Sequence, residues 1–276
     1  MIKKIKNNNT LTYYYTDELN DDFGNIKLCK KDVNKFLDNY DYTRGNKFKR
    51  FWCDVLYKIV AKGILTLYLF LSGYTVKGKD NYKEFQKYCN ENHKGGFIYG
   101  NHVNNSDAFK IQALVLKKRG GVVGLPNTLG ISFIRNITNA LGYLPLPLTT
   151  KQSINFLKAL KVLNSRGEHV VIFPEAHIWP FYTKIRPFID TSFGYPTKFD
   201  APCLPVVTVF KKRKLLKKPK KVIYVGKMVL PKKELSYSEN KTYLRNEIYN
   251  QMVELSKENN IEYIIYSKKE EKDLIE

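Results

Sequence analysis

Along residues 51–74 polar side chains recur at every fourth position, Asp54, Lys58, Lys62 and Thr66, and nearly everything between them is apolar. On a helix that spacing gathers the polar groups into one stripe beside a wide apolar surface. Two settings satisfy the pattern: a helix lying in a membrane interface, or one packed on the protein's own core. The longest uncharged run, residues 63–74, is too short to cross a bilayer.

From residue 97 onward the pattern changes to short runs of strand formers alternating with helical stretches. Residues 97–99 lead to a predicted helix over 108–119, ended by Gly120 and Gly121. Residues 122–125 lead to another that ends near Gly142, and 144–146 precede a helix over 153–165 with Gly167 at its C-terminus. Strands follow at 169–173, 204–210 and 222–225, and a charged amphipathic helix over about 239–259 closes the series. The rhythm is that of an α/β domain with a mixed, mostly parallel sheet flanked by helices. The organisation read from it is an N-terminal extension (1–50), an amphipathic membrane-interface helix (51–75), an α/β domain (76–235) and a C-terminal helix and tail (236–276). The extension is polar and aromatic, an appendage or cap without evident chemistry.

Composition changes this picture in two ways. A net charge of +21 on 276 residues gives the surface a positive field toward anionic partners, of which acidic lipid and nucleic acid are the two classes. The lysine-rich run 211–221, eight basic residues in eleven, reads either as a solvated hairpin tip or as a contact for such a partner. No helix-turn-helix, RRM-type aromatic pattern or zinc finger accompanies it, so nucleic acid is not the expected partner. The four cysteines are widely spaced, which argues against a zinc site or disulfide framework and for a reduced setting. The N-terminus turns polar where a secretory signal needs an apolar stretch.

The chemistry concentrates in two stretches. In GNHVNNSDAF (100–109) His102 follows a strand and Asp107 opens the next helix. An imidazole can take a proton near neutrality, and a carboxylate on its other nitrogen fixes the tautomer and stabilises the cation. Five positions on a helix would separate the pair by about 140°, so they meet only if the loop turns, and Asn104, Asn105 and Ser106 are residues that turn. The same spacing is met by a helix N-cap at Ser106 or Asp107 beside an ordinary loop histidine. In VVIFPEAHIWP (170–180) Glu175 stands at the carboxyl end of a strand, where open α/β sheets collect ligands, or else salt-bridges a surface lysine.

Taken in order, these motifs resemble the glycerolipid acyltransferase superfamily, to which lysophosphatidic acid acyltransferases belong. NHVNNSD is similar to its N-H-x4-D block, FPEA to its F-P-E-G block, LPVV (204–207) to a later strand, and VKGKDN (76–81) to its lead-in. The resemblance covers residues 51–229. It implies an O-acyltransferase in which His102 is the general base and Asp107 its orienting acid. The acyl donor would be acyl-CoA or acyl carrier protein, with no resident cofactor or metal, and the acceptor the hydroxyl of a lysophospholipid or related lipid. Glu175, Asn101, Arg135 and Arg186 are the substrate-binding candidates it suggests, and the cytoplasmic face of a membrane the expected location. Leu148 stands where the family often places a phosphate-holding arginine, and Ala176 where it places glycine, so lysophosphatidic acid is not the implied acceptor. The reading from a different class is a catalytically inactive basic protein on the same fold, binding membrane or nucleic acid.

Overall fold

The computed structural model describes residues 4–7, 10–24, 33–126, 138–214, 216 and 218–269. Among them, in chain order, lie β1 (Lys4–Asn7), β2 (Thr10–Tyr15), α1 (Asn34–Leu37), α2 (Lys47–Tyr57), α3 (Thr66–Leu71), β3 (Tyr74–Lys77), α4 (Lys79–Glu91) and β4 (Phe97–Gly100). Then come α5 (Asp107–Lys110), β5 (Gly121–Gly124), β6 (Tyr143–Pro145), α6 (Thr150–Ser165), β7 (Val170–Ile172), α7 (Gly194–Phe199), β8 (Cys203–Lys211), β9 (Lys220–Val225), α8 (Tyr237–Ser256) and β10 (Ile264–Lys268).

A seven-stranded sheet runs β3-β9-β8-β4-β7-β5-β6. Only the β8–β9 pair is antiparallel. The central strands β4, β7 and β8 are buried on both faces, which is why they read as continuous apolar runs. Side-chain alternation divides the core: Phe97, Tyr99, Val170 and Ile172 join Phe156 and Leu160 of α6 and Leu244 and Ile248 of α8 on one face. Ile98 and Val171 pack with Phe85 of α4 and with Ile111 and Leu116 on the other. This is the mixed, mostly parallel α/β architecture expected. A separate sheet, β1-β2-β10, joins the two ends of the chain.

The amphipathic helix begins at Lys47, capped by Asn46 Oδ1 accepting from Lys49 N at 3.0 Å. It continues through a π-helical stretch, Lys58–Leu65, and ends at Leu71, earlier than expected: Gly73, with φ of +82°, turns the chain so that Tyr74 starts β3. Of its polar stripe Lys58 is exposed, and Asp54, Lys62 and Thr66 reach back to the protein. Asp54 Oδ1 accepts from Arg119 Nε at 2.9 Å, Lys62 Nζ donates to Ala113 O at 2.6 Å, and Thr66 Oγ1 lies 3.3 Å from the same carbonyl. Burial lowers the Lys62 pKa to about 8. Cys53, Tyr57, Ala61 and Leu69 pack inward, while Phe48, Trp52, Ile64, Leu67, Phe70 and Leu71 are exposed, so the helix both rests on the core and presents a second apolar surface outward. Among the described residues no helix is long and apolar enough to cross a membrane.

Two other expectations shift. The helix over 108–119 stops at Val115, where the backbone turns extended: the Gln112 amide holds Gly120 O and Leu141 O, and Lys117 N donates to the Tyr82 hydroxyl. The helix expected after residue 125 falls mostly outside the described residues.

Candidate active site

β4 ends in Gly100, where a Cβ would meet Phe173 at 2.9 Å, and the chain leaves the sheet at its carboxyl edge. Asn101 then ties that edge shut: its Oδ1 accepts from Thr208 N at 2.8 Å and its Nδ2 donates to Thr208 O at 3.1 Å. Asn101, expected among the substrate ligands, thus has both amide ends bonded to β8.

The next residues turn as their composition suggests. Asn104 Oδ1 accepts from Ser106 N and Oγ at 3.0 Å, and Asp107 N donates to Asn104 O at 3.0 Å. The turn brings Asp107 Oδ2 to 3.0 Å from His102 Nδ1 and lets the same oxygen accept from Val103 N and Asn104 N, both at 2.7 Å. The N-cap alternative fails because the Ser106 side chain makes no cap bond and the Asp107 carboxylate bonds upstream of its helix. Oδ1 of Asp107 pairs with the Lys110 ammonium, one turn on in α5, and both side chains are buried. Burial pushes the Asp107 carboxyl up, but Lys110 and the bond to His102 outweigh it and hold the group below its ordinary range. Lys110 was absent from the candidates, although a lysine three residues after a helix-opening aspartate is a signal readable in the sequence.

Bonded to a carboxylate, Nδ1 carries the proton and Nε2 is left as the basic nitrogen. The ring stacks on Phe173, centroids 4.7 Å apart, and borders a cavity of about 610 Å³. Apolar side chains dominate its wall: Phe109, Leu141, Leu146, Phe173, Ile178 and Ile189, with Ala61 and Leu65 supplied by the inner side of the amphipathic helix. Among the described residues no lysine or arginine lines it, whereas Asp22 of the N-terminal segment does. The first fifty residues thus reach the site.

Glu175 lies beneath the His102 loop and outside the cavity wall. Its Oε2 accepts from His102 N at 3.1 Å and its Oε1 from Arg186 N at 3.1 Å, and Arg186 Nη2 pairs with Oε2 at 3.3 Å. Burial raises the Glu175 pKa despite the adjacent guanidinium. Arg186, 1% exposed, also donates to the carbonyls of His177 and Glu18. Glu175 and Arg186, both expected among the substrate ligands, thus form a buried ion pair whose bonds to the His102 and Arg186 amides and to the His177 and Glu18 carbonyls hold the loop, while Arg186 Nε has no hydrogen-bond partner among the described residues. Arg135 lies outside the described residues. Ala176 adopts φ of +61° in a tight turn closed by His177 N on Glu175 O at 2.7 Å, a left-handed position that favours glycine.

No family model matches the chain, and no curated protein does. Among solved structures, the 1-acyl-sn-glycerophosphate (LPA) acyltransferase PlsC from Thermotoga maritima is similar in fold, with a TM-score of 0.55 and 18% identity. The match covers 83% of this chain and 89% of that one.

Proposed function

We propose that the protein is a membrane-associated O-acyltransferase that moves a fatty acyl group from acyl-CoA or acyl carrier protein to the hydroxyl of a lysophospholipid or related lipid. The observation that carries the reading is the Asp107–His102 pair at the wall of an apolar cavity, on a fold shared with a PlsC acyltransferase. His102 Nε2 takes the acceptor hydroxyl proton as the oxygen attacks the thioester carbonyl. Asp107 keeps Nδ1 protonated and stabilises the imidazolium. Collapse of the tetrahedral intermediate breaks the C–S bond, and the thiolate leaves with the proton held by His102.

The outward apolar face of residues 47–71 supports docking on a lipid surface, and the net charge of +21 favours an anionic one. Because Ala61 and Leu65, on the inner side of the same helix, line the cavity, the helix that carries that face adjoins the route by which a lipid acceptor would enter. A wall without described lysine or arginine favours zwitterionic or uncharged lyso acceptors over a phosphate monoester, whose buried charge needs a partner. Radiolabelled acyl-CoA assayed against a panel of lysolipids tests the proposal. Transfer to at least one lyso acceptor, with lysophosphatidic acid not preferred, is expected; no transfer to any acceptor from either donor would refute the activity.

A further inference from the structure

His102 sits outside regular structure, and both of its backbone hydrogen-bonding groups go to one loop: its N–H donates to Glu175 Oε2 and its carbonyl accepts from Trp179 N at 3.1 Å. The next carbonyl, of Val103, accepts from Phe181 N at 3.0 Å. The position of the 175–181 loop therefore sets the backbone from which the imidazole reaches Asp107 and Phe173.

The outer side of that loop is held by the ends of the chain. Trp179 is fully buried, its Nε1 donates to Asp21 O at 2.7 Å, and the Arg186 guanidinium lies 5.0 Å from its ring centroid. Tyr266, on the terminal strand β10, stacks on Trp179 with centroids 4.9 Å apart and planes 10° from parallel. It meets Tyr182 edge-on at 5.1 Å and donates its hydroxyl to Pro180 O at 2.8 Å. β10 in turn is fixed by parallel pairing with β2, Tyr266 opposite Tyr13.

We infer that Tyr266 is a positioning residue for His102: through its ring on Trp179 and its hydroxyl on Pro180 it sets the loop whose amides hold the His102 and Val103 carbonyls. The kinetic part of this inference rests on the acyltransferase reading; the structural part does not. Tyr266 is suited to a test because it is only partly buried on a terminal strand, so its truncation does not empty the main core, which lies around the seven-stranded sheet.

The experiment compares Tyr266→Ala, Tyr266→Phe and, as a stability control in α8, Ile248→Val, each as the full chain. Two readouts are taken: kcat and KM for acyl transfer, and the His102 ring resonances in histidine-labelled protein, assigned from His102→Ala. In Tyr266→Ala kcat should fall about 10- to 100-fold, the range that small misplacements of a catalytic group reach, with donor KM within about twofold. The His102 resonances should shift or broaden. Tyr266→Phe, which keeps the ring, should recover most of the kcat, and Ile248→Val should leave both readouts at wild-type values even as Tm falls. The inference is overturned if the Tyr266→Ala resonances of His102 are unmoved, or if kcat is unchanged, or if Ile248→Val produces the same losses. Wild-type protein without acyl transfer, but with His102 resonances that respond to Tyr266→Ala, would overturn the activity and leave the positioning role standing.

Discussion

Replacing Asp107 by asparagine removes one charge and exchanges one oxygen for an amide NH2 at a site where every neighbour donates. On one side of the carboxylate stand His102 Nδ1, Val103 N and Asn104 N, and on the other the buried Lys110 ammonium. Whichever way the asparagine turns, its NH2 faces a donor. Turned toward His102, it favours the tautomer with Nδ1 unprotonated and the proton on Nε2, which abolishes the base. Turned toward Lys110, it sets a donor against the ammonium, and in either orientation the buried cation has lost its counter-charge. Removing one partner of a buried ion pair costs about 3–5 kcal/mol, whereas losing the orienting carboxylate of a histidine base costs about 10²–10⁴ in kcat. The two losses separate in Asp107→Asn/Lys110→Met. The double variant should regain at least half of the lost stability, because the amide no longer opposes an ammonium, and should regain none of the kcat. Urea unfolding and acyl-transfer kinetics on all four members of the cycle measure the coupling. An Asp107→Asn protein within about 0.5 kcal/mol of wild type, or one retaining more than a tenth of wild-type kcat, refutes the reasoning; the first threshold is the usual effect of a neutral surface change and the second is set well inside the expected loss.

Ala176→Gly should stabilise the protein by about 0.5–1 kcal/mol, because relief of a left-handed alanine exceeds the added chain entropy, and a lower urea midpoint would contradict this. Burial lowers the His169 pKa to about 4, and its Nδ1 accepts from Gly96 N at 3.2 Å, so the folded chain resists a proton that the unfolded chain binds below about 6.5. Stability from this group is complete above pH 6.5 and should fall by about 2–3 kcal/mol as pH drops toward 4; unfolding at pH 7 and 4.5 should show that excess loss in wild type and not in His169→Asn. Phe70→Asp or Leu71→Asp should weaken binding to anionic vesicles by about 10-fold or more, while high salt reduces binding without ending it; sedimentation unchanged by either substitution would rule out that face as the anchor.

How much of this was legible in the sequence depends on distance along the chain. The His102–Asp107 turn was legible because both partners and the residues that bend the chain lie within one short stretch, and the sheet was legible because its inner strands are unbroken apolar runs. The amphipathic helix was half legible: periodicity gives the polar stripe but not which side meets the protein, and that is decided by Arg119 and Ala113, whose contacts only folding creates. Glu175 was legible as a strand-end residue and Arg186 only as a cation that could meet a ligand, since composition cannot say that the two charges pair with each other. The sheet that joins β10 to β2 leaves no local trace, because its pairing spans nearly the whole chain.

The central claim is that His102 is the base of an acyl transfer. Its most direct test is the turnover of His102→Ala, purified and shown folded by circular dichroism and an unchanged urea midpoint, with the acyl donor and the best lyso acceptor at saturation. The account predicts a fall in kcat of at least about 10²–10⁴, the share that general-base catalysis supplies, with folding intact because the ring lies at a cavity wall and not in the core. Wild-type turnover in the folded His102→Ala protein would contradict it.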